Sequence, residues 1–195
     1  MSLVPSGHAP ACVKSALVAP KQTFFVVSIK KFLLMYFMTG GLYLIVWFFE
    51  HWKQYRKSTG VKVWPAGRTS FGVLMVFSLF WKIHKALCES GLTYRWFPLI
   101  RAILIIVLGG YYLLTALRPT SPGMPASYYV ISPLLMLVMG FLLVGAQRAV
   151  NFLEGDPAGE RNSKLSVANG IWITLGSVVW ACWVLVVYLA FTSQL

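Results

Sequence analysis

The sequence predicts an all-α membrane protein, and three observations carry that prediction. First, 58% of its 195 residues are hydrophobic and only 11% are charged, whereas soluble domains are about half apolar and a quarter charged. Second, three runs that are nearly free of charge are close in length to the about 20 apolar residues that a helix needs to cross a bilayer. Third, 17 Lys and Arg stand against 5 Asp and Glu. These bases flank apolar runs, which favours an anionic membrane face over nucleic acid as the partner.

Three spanning helices are predicted, at residues 98–117, 128–147 and 169–192. In the first, Arg101 and Arg118 bound a charge-free run from Ala102 to Leu117, and Pro98 suits the first turn of a helix. The second carries Pro133 near its start, and the third is rich in Trp. All three are therefore expected to cross the membrane.

Two further apolar segments, residues 32–49 and 69–83, are predicted to be re-entrant or interfacial helices. The first contains Gly40 and Gly41 at its centre; each costs about 1 kcal/mol in a helix relative to Ala, and both permit a tight reversal. A turn in lipid leaves backbone groups unpaired. We therefore expect either that Thr39 bonds back to the freed carbonyls or that the turn packs against other helices. The alternative is that both segments cross, giving five transmembrane helices.

The distribution of Lys and Arg predicts the sidedness, because these residues concentrate in short cytoplasmic loops. The stretch from Arg118 to Tyr128 carries one base and the stretch from Arg148 to Lys164 carries three. The former is therefore expected outside, the latter inside, and the C-terminus outside. With both doubtful segments re-entrant, every base except Arg118 is cytoplasmic, which is 16 of the 17.

Residues 1–23 are predicted to form a mobile N-terminal tail, and residues 24–195 a single membrane domain. The tail contains three prolines and no apolar core of signal-peptide length. The three cysteines lie far apart in sequence and are expected to be free thiols, since their spacing indicates neither a metal site nor a disulfide framework: Cys12, Cys88 and Cys182.

Several short motifs resemble those of an uncharacterised family of small bacterial membrane proteins that is known only as a domain of unknown function. The motifs are "TGGLY", "WFFEHWKQY", "WPAGR", "FSLFWKI", "QRAVN" and "SVANGIWITLG". They occur in order over roughly residues 24 to 190. The resemblance implies a multi-pass protein of the bacterial inner membrane and implies no catalytic activity. In such a membrane, the topology predicted from charge places the C-terminus in the periplasm.

A dense group of aromatic and basic residues after the Gly pair predicts a site for anionic lipid headgroups. Aromatic rings favour the headgroup level of a bilayer, and each neighbouring base contributes about 1 kcal/mol near an anionic surface. The candidate residues are Trp47, Trp52, Lys53, Tyr55, Arg56, Lys57, Trp64 and Arg68.

Polar residues in the helices are candidates for internal contacts. Glu50 reaches Lys53 at i+3, which predicts an ordinary ion pair, whereas burial of Glu50 and His51 would indicate function. Gln147 and Asn151 are one turn apart and are expected to hydrogen-bond to Asn169 and hold helices together. Gly40 and Gly41 are also candidates for close helix packing.

The sequence predicts no catalytic set, no metal site and no cofactor, because it contains no Gly-rich phosphate loop, paired carboxylates in a span or credible triad. The favoured hypothesis is a non-enzymatic integral membrane protein. It would bind anionic lipid at the cytoplasmic face and pack as a homo-oligomer or with a partner membrane complex, without nucleic acid. Two alternatives remain open: an oligomeric channel or transporter, and a membrane enzyme or haem- or quinone-binding protein that uses Glu50 and His51.

Overall fold

The computed structural model describes residues 22–116 and 126–192, and all the regular secondary structure within those ranges is helical. Residues 1–21, 117–125 and 193–195 lie outside them, and so therefore do most of the predicted mobile tail and most of the predicted exterior stretch from Arg118 to Tyr128. The helices are α1 (Ile29–Met38), α2 (Tyr43–Thr59), α3 (Pro65–Ser70), α4 (Gly72–Glu89), α5 (Pro98–Ala116), α6 (Ala126–Leu153) and α7 (Val167–Thr192), with a short 3-10 turn at Glu160–Asn162.

Three of these helices are long and apolar enough to cross a membrane. The apolar stretches run over Pro98–Thr115 in α5, Tyr129–Leu153 in α6 and Val167–Thr192 in α7. The prediction of an all-α protein with three spans is confirmed. The second helix continues six residues beyond the predicted boundary at residue 147, because neither Gly nor Pro interrupts the chain from there until Gly155, which has a positive φ.

Local signals fix most helix ends. Ser28 caps α1 by accepting a hydrogen bond from the Lys31 backbone N–H at 3.3 Å, Pro65 occupies the first turn of α3, and Gly60 ends α2 in the left-handed conformation. These devices satisfy backbone groups that helix ends leave free.

The chain reverses between α1 and α2, as the Gly pair predicts. Gly40 and Gly41 have φ of 58° and 88°. Gly adopts such positive φ values without steric strain because it has no Cβ. Thr39 closes the turn: its Oγ1 donates to the Met35 carbonyl at 2.7 Å and accepts from the Tyr43 N–H at 2.9 Å. Thr39 therefore satisfies the Tyr43 N–H at the start of α2. Its bond to the Met35 carbonyl, which is the bonding predicted from the sequence, adds to the bond that this carbonyl already accepts from the Thr39 N–H.

The turn between α1 and α2 also packs against the spanning helices. Tyr36 Oη donates to the Met136 carbonyl of α6 at 3.1 Å, and Trp180 Nε1 of α7 donates to the Phe37 carbonyl at 2.8 Å. Met136 precedes Gln147 by 11 residues along α6, a rise of about 16 Å, which is about half a hydrocarbon core. On the return path Trp47 reaches Gln147, so α1 enters and α2 leaves on the same side.

A second, shorter reversal joins α3 to α4 at Phe71. Gly72 lies against the Phe48 ring of α2, and Arg68 on α3 donates to Ser78 Oγ on α4 at 3.3 Å. The two doubtful segments are thus broken helices rather than single spans. The ends of α6 and α2 and the starts of α1, α5 and α7 gather at one end of the molecule, here called the basic end.

One hydrophobic core joins the segment before α1 to α2, α4, α5 and α6, with the rings of Phe24, Phe32, Trp47, Trp52 and Phe80 almost fully buried. By contrast, only 6% of the apolar stretch of α7 is buried inside the chain. Helix α7 therefore attaches mainly through its contacts with the α1–α2 turn, where Gly176 lets the Met38 carbonyl approach closely.

Replacing Gly40 by Ala tests the strain in the turn. A Cβ at Gly40 meets no atom within 4 Å, so the left-handed φ alone should lower the free energy of unfolding, by about 1–2 kcal/mol. Gly110→Ala in α5 is the matched control, since its added Cβ also meets no atom within 4 Å but helix propensity favours Ala there. Thermal unfolding in detergent should show a lower Tm for Gly40→Ala alone. An equal change in Tm for the two variants would contradict a left-handed turn at Gly40.

Candidate functional site

An extended segment, residues 22–28, crosses the basic end and has its backbone hydrogen-bonded by side chains. The Gln147 amide donates to the Phe25 carbonyl at 3.1 Å, and Asn151 donates to the Val27 carbonyl at 2.9 Å. Asn162 donates to the Val26 carbonyl at 3.1 Å. Side chains from α6 and from the loop after it therefore supply this segment with the backbone hydrogen bonds that a neighbouring strand supplies in a sheet.

Several backbone N–H groups of the same segment are also hydrogen-bonded. Glu154 Oε1 accepts from the backbone N–H groups of Thr23 and Phe24 at 2.9 and 2.7 Å. Burial raises the pKa of the Glu154 carboxyl, and the two N–H bonds lower it only in part. Glu154 is thus a structural acceptor, a role that its position just after an apolar helix did not reveal.

Gln147 is the centre of a buried polar network. Its Oε1 accepts from Trp47 Nε1 at 2.6 Å, and its Nε2 donates to Asn151 Oδ1 at 2.7 Å. The sequence predicts that Gln147 and Asn151 bond to Asn169, but Asn169 Oδ1 accepts instead from the Ser166 backbone N–H at 2.9 Å. Asn169 and Ser166 form a capping box at the start of α7, and the Ser-x-x-Asn spacing is the signal that identifies it.

Trp47, a predicted headgroup residue, lies in the core. It is 0% exposed, and its indole bonds to Gln147. No face of Trp47 is left for lipid contact. Phe32 and His51 pack around it with ring centroids at 5.8 and 4.3 Å.

His51 is buried beside this network. Its Nδ1 accepts from the Phe25 backbone N–H at 3.4 Å, which places the proton of the neutral ring on Nε2. Burial lowers the pKa of His51 to about 3, and the neighbouring Gln147 amide opposes that shift only in part. His51 is therefore neutral at physiological pH, where its role is to hold the extended segment.

Glu50 forms the predicted ion pair with Lys53, with Lys53 Nζ at 2.9 Å from Glu50 Oε1. Both groups are partly exposed, so the pair contributes little to stability. Because a carboxylate partly neutralises Lys53, this base is a weaker candidate for headgroup binding than the bases described next.

Two cations lie against aromatic rings on the outer surface where α2, α3 and α4 meet. The Arg68 guanidinium lies 4.4 Å from the Trp52 ring centroid, and Lys82 Nζ lies 4.7 Å from the Tyr55 centroid. Lys82 also donates to Tyr55 Oη at 3.2 Å. We call Trp52, Tyr55, Arg68 and Lys82 the cation–aromatic cluster. Cation–π contacts of this kind are worth about 0.5–2 kcal/mol each.

The two cations of the cluster have no carboxylate partner. Among the described residues, ion pairs join only Lys53 to Glu50, Lys85 to Glu89 and Arg161 to Asp156. Arg68 and Lys82 are thus fixed in position by aromatic rings and hydroxyls while their charge is uncompensated. Uncompensated, positioned charge next to apolar surface is what an anionic headgroup requires.

The remaining predicted headgroup residues surround this cluster. Arg56 and Lys57 are exposed in the last turns of α2, and Trp64 is 74% exposed before α3. Trp52 is itself 0% exposed, and its ring packs beneath the Arg68 guanidinium. Sequence reasoning missed Lys82, although it shares one face of α4 with Ser78, the residue to which Arg68 donates.

The described side chains offer no metal centre, since no three His, Cys, Asp or Glu come together in residues 22–116 and 126–192. His84 Nε2 and Cys88 Sγ lie 3.8 Å apart on α4, but two ligands do not complete a zinc site.

Burial of neutral His51 makes stability depend on pH. Between pH 6.5 and 3, the unfolded chain protonates this ring and the native chain does not. The stabilisation is therefore complete above pH 6.5 and is lost as the pH falls. His51→Asn keeps an acceptor near the position of Nδ1 but cannot titrate. From pH 7 to 5, the native protein should lose about 2 kcal/mol more unfolding free energy than the variant, as measured by denaturant titration. Parallel pH profiles would contradict the assignment.

Comparisons with known proteins give no match: no family model, no curated protein and no solved structure matches the chain. The resemblance to an uncharacterised family of bacterial membrane proteins therefore stays a prediction.

Proposed function

We propose that this chain is a non-enzymatic integral membrane protein of the bacterial inner membrane that binds anionic lipid headgroups at the cation–aromatic cluster. The observation that carries the proposal is that Arg68 and Lys82 are positioned over Trp52 and Tyr55 without a carboxylate partner in the described part of the chain. Arg56, Lys57 and Lys62 add exposed positive charge around the cluster.

The chemistry of the two cations suits a phosphate. A guanidinium carries five N–H donors in a planar fork, and Arg68 directs one hydrogen bond to Ser78, which leaves donors for phosphate oxygens. Lys82 supplies a second charge on the neighbouring turn of α4. Because the aromatic rings and Ser78 restrict both side chains before binding, little rotamer entropy is lost when a headgroup arrives.

The basic end belongs on the cytoplasmic side in this proposal. Lys30, Lys31 and the bases of α2, α3 and α4 lie there with Arg148 and Lys164, and short cytoplasmic loops carry an excess of such residues. An odd number of spans then places the C-terminus in the periplasm.

The exposure of α7 supports assembly with a second copy or with a partner membrane protein. Its apolar stretch is almost entirely unburied within the chain, and small residues such as Gly170 and Ser177 allow a neighbouring helix to approach closely. Lipid covers the same surface in a monomer, so assembly is the secondary part of the proposal.

Removing the two cations tests lipid binding. Arg68→Gln with Lys82→Gln should weaken retention of phosphatidylglycerol about 30-fold, since each base contributes about 1 kcal/mol and 1.4 kcal/mol is tenfold. Native mass spectrometry in mild detergent measures the bound fraction against added lipid.

The matched control removes the same charge elsewhere on the basic end, through Lys30→Gln with Lys164→Gln, both of which alter exposed side chains. The control should retain lipid like the native chain. Equal loss in both double variants would show a general charge effect and would refute a defined site.

Side-specific labelling tests the topology. In a background without native cysteines, Lys62→Cys places a thiol in the exposed connection between α2 and α3. An impermeant maleimide should leave it unlabelled in intact cells and label it after permeabilisation, because the proposal places it in the cytoplasm. Arg118→Cys, expected outside, should label in intact cells. Labelling of position 62 from outside would reject the proposed sidedness.

A further inference from the structure

A cavity of about 550 Å³ lies between the α1–α2 turn and helices α4, α5 and α6. This volume falls in the range of about 300–1,000 Å³ that is usual for ligand sites. The cavity is lined mainly by apolar groups, and its lining includes Gly40, Gly41, Leu44, Leu74, Gly110 and Met136.

The cavity exists because glycines on two facing elements lack side chains. Gly40 and Gly41 of the turn face Gly109 and Gly110 of α5 across it. A Cβ built on Gly40 or Gly110 would meet no atom within 4 Å. An apolar chain lying in this space makes dispersion contacts along its lining, so such an occupant stabilises the assembly.

The position of the cavity matches that of hydrocarbon chains in a bilayer. Tyr36 and Met136, which are hydrogen-bonded to each other, both line it. Met136 lies about 16 Å along α6 from the polar Gln147, close to half of the about 30 Å hydrocarbon core. An occupant at this depth is surrounded by acyl chains, not by water.

Two helices connect the cavity to the cation–aromatic cluster. On α2, Leu44 lines the cavity and Trp52 lies under Arg68, eight residues or about 12 Å further along the helix. On α4, Leu74 lines the cavity and Ser78 accepts from Arg68, one turn or about 6 Å away. A molecule with an anionic head and a hydrocarbon tail spans this separation.

We infer that the cavity holds one acyl chain of an anionic glycerophospholipid whose phosphate is bound by Arg68 and Lys82. This inference rests on the proposed function and specifies its ligand: a lipid bound through its head and its tail together. The uncompensated charge at the cluster selects the anionic head, and the glycine-lined space between the turn and α5 receives the tail. The bound lipid thereby contacts α2, α4 and α5 at once, through the residues of these helices that line the cavity.

The test uses two photoreactive lipids that carry a diazirine in the middle of one acyl chain, a phosphatidylglycerol and a phosphatidylcholine of identical chains. The full chain is reconstituted with each, irradiated, and digested, and the labelled peptides are quantified by mass spectrometry. Phosphatidylglycerol should label the cavity-lining peptides of α2 and α5 about 30-fold more than phosphatidylcholine, the ratio that two bases supply.

Gly110→Leu fills the cavity and leaves the cluster intact. Its side chain enters open space, so the fold is retained, while overpacking against the tail should lower cavity labelling about tenfold. Gly170→Leu on α7 is the matched control, since a Cβ there also meets no atom within 4 Å but lies away from the cavity. Labelling of the cavity peptides should be unchanged in this control.

The outcomes separate the inference from the proposed function. Retention of phosphatidylglycerol that depends on Arg68 and Lys82, with cavity labelling insensitive to Gly110→Leu, refutes the inference and leaves headgroup binding in place. Equal cavity labelling by both lipids that is insensitive to Arg68→Gln with Lys82→Gln refutes the inference together with the proposed headgroup selectivity. Selective labelling that both sets of variants abolish supports the two together.

Discussion

The constraint on which this structure depends is that the backbone polar groups of the extended segment must be paired where little water reaches them. An extended chain has no internal partners, and every unpaired group in an apolar environment costs several kcal/mol. Here the amides of Gln147, Asn151 and Asn162 supply the donors, and Glu154 and His51 supply the acceptors. Because these partners come from α2, α6 and the loop after α6, the same contacts fix where those elements lie.

The same constraint explains two features deeper in the molecule. At the α1–α2 turn, Thr39 Oγ1 accepts from the Tyr43 N–H at the start of α2, which helps to make a reversal tolerable away from water. On α5, Arg101 Nη1 donates to the Phe141 and Leu142 carbonyls of α6, and Gly145 leaves room for the guanidinium to approach that backbone. In each case, polar atoms of one element complete the hydrogen bonding of another, so helix positions are set by directional bonds as well as by apolar packing.

Much of the architecture follows from the sequence, but the details of the site do not. Apolar length predicts the three spans, and the Gly pair predicts the reversal, because both are local properties. The cation–aromatic cluster was predicted only in part: Arg68 and Trp52 were named, but Lys82 is brought to Tyr55 by the second reversal, which spacing alone does not reveal. Trp47 and Trp52 look alike in sequence, yet Trp47 packs against α6 and Trp52 lies under Arg68. Asn169 satisfies its own helix end, a choice between two polar partners that only the packing decides.

The extended segment also has a consequence for how the protein is made. Its partners Gln147, Asn151, Glu154 and Asn162 lie between 122 and 136 residues later in the chain. The ribosome therefore delivers the α1–α2 hairpin long before the groups that complete its entry into the bilayer. Until α6 and its following loop have emerged, the nascent hairpin must rest in the wet headgroup layer or in the translocation machinery. Insertion to full depth is thus a late event in synthesis, coupled to the arrival of the second spanning helix.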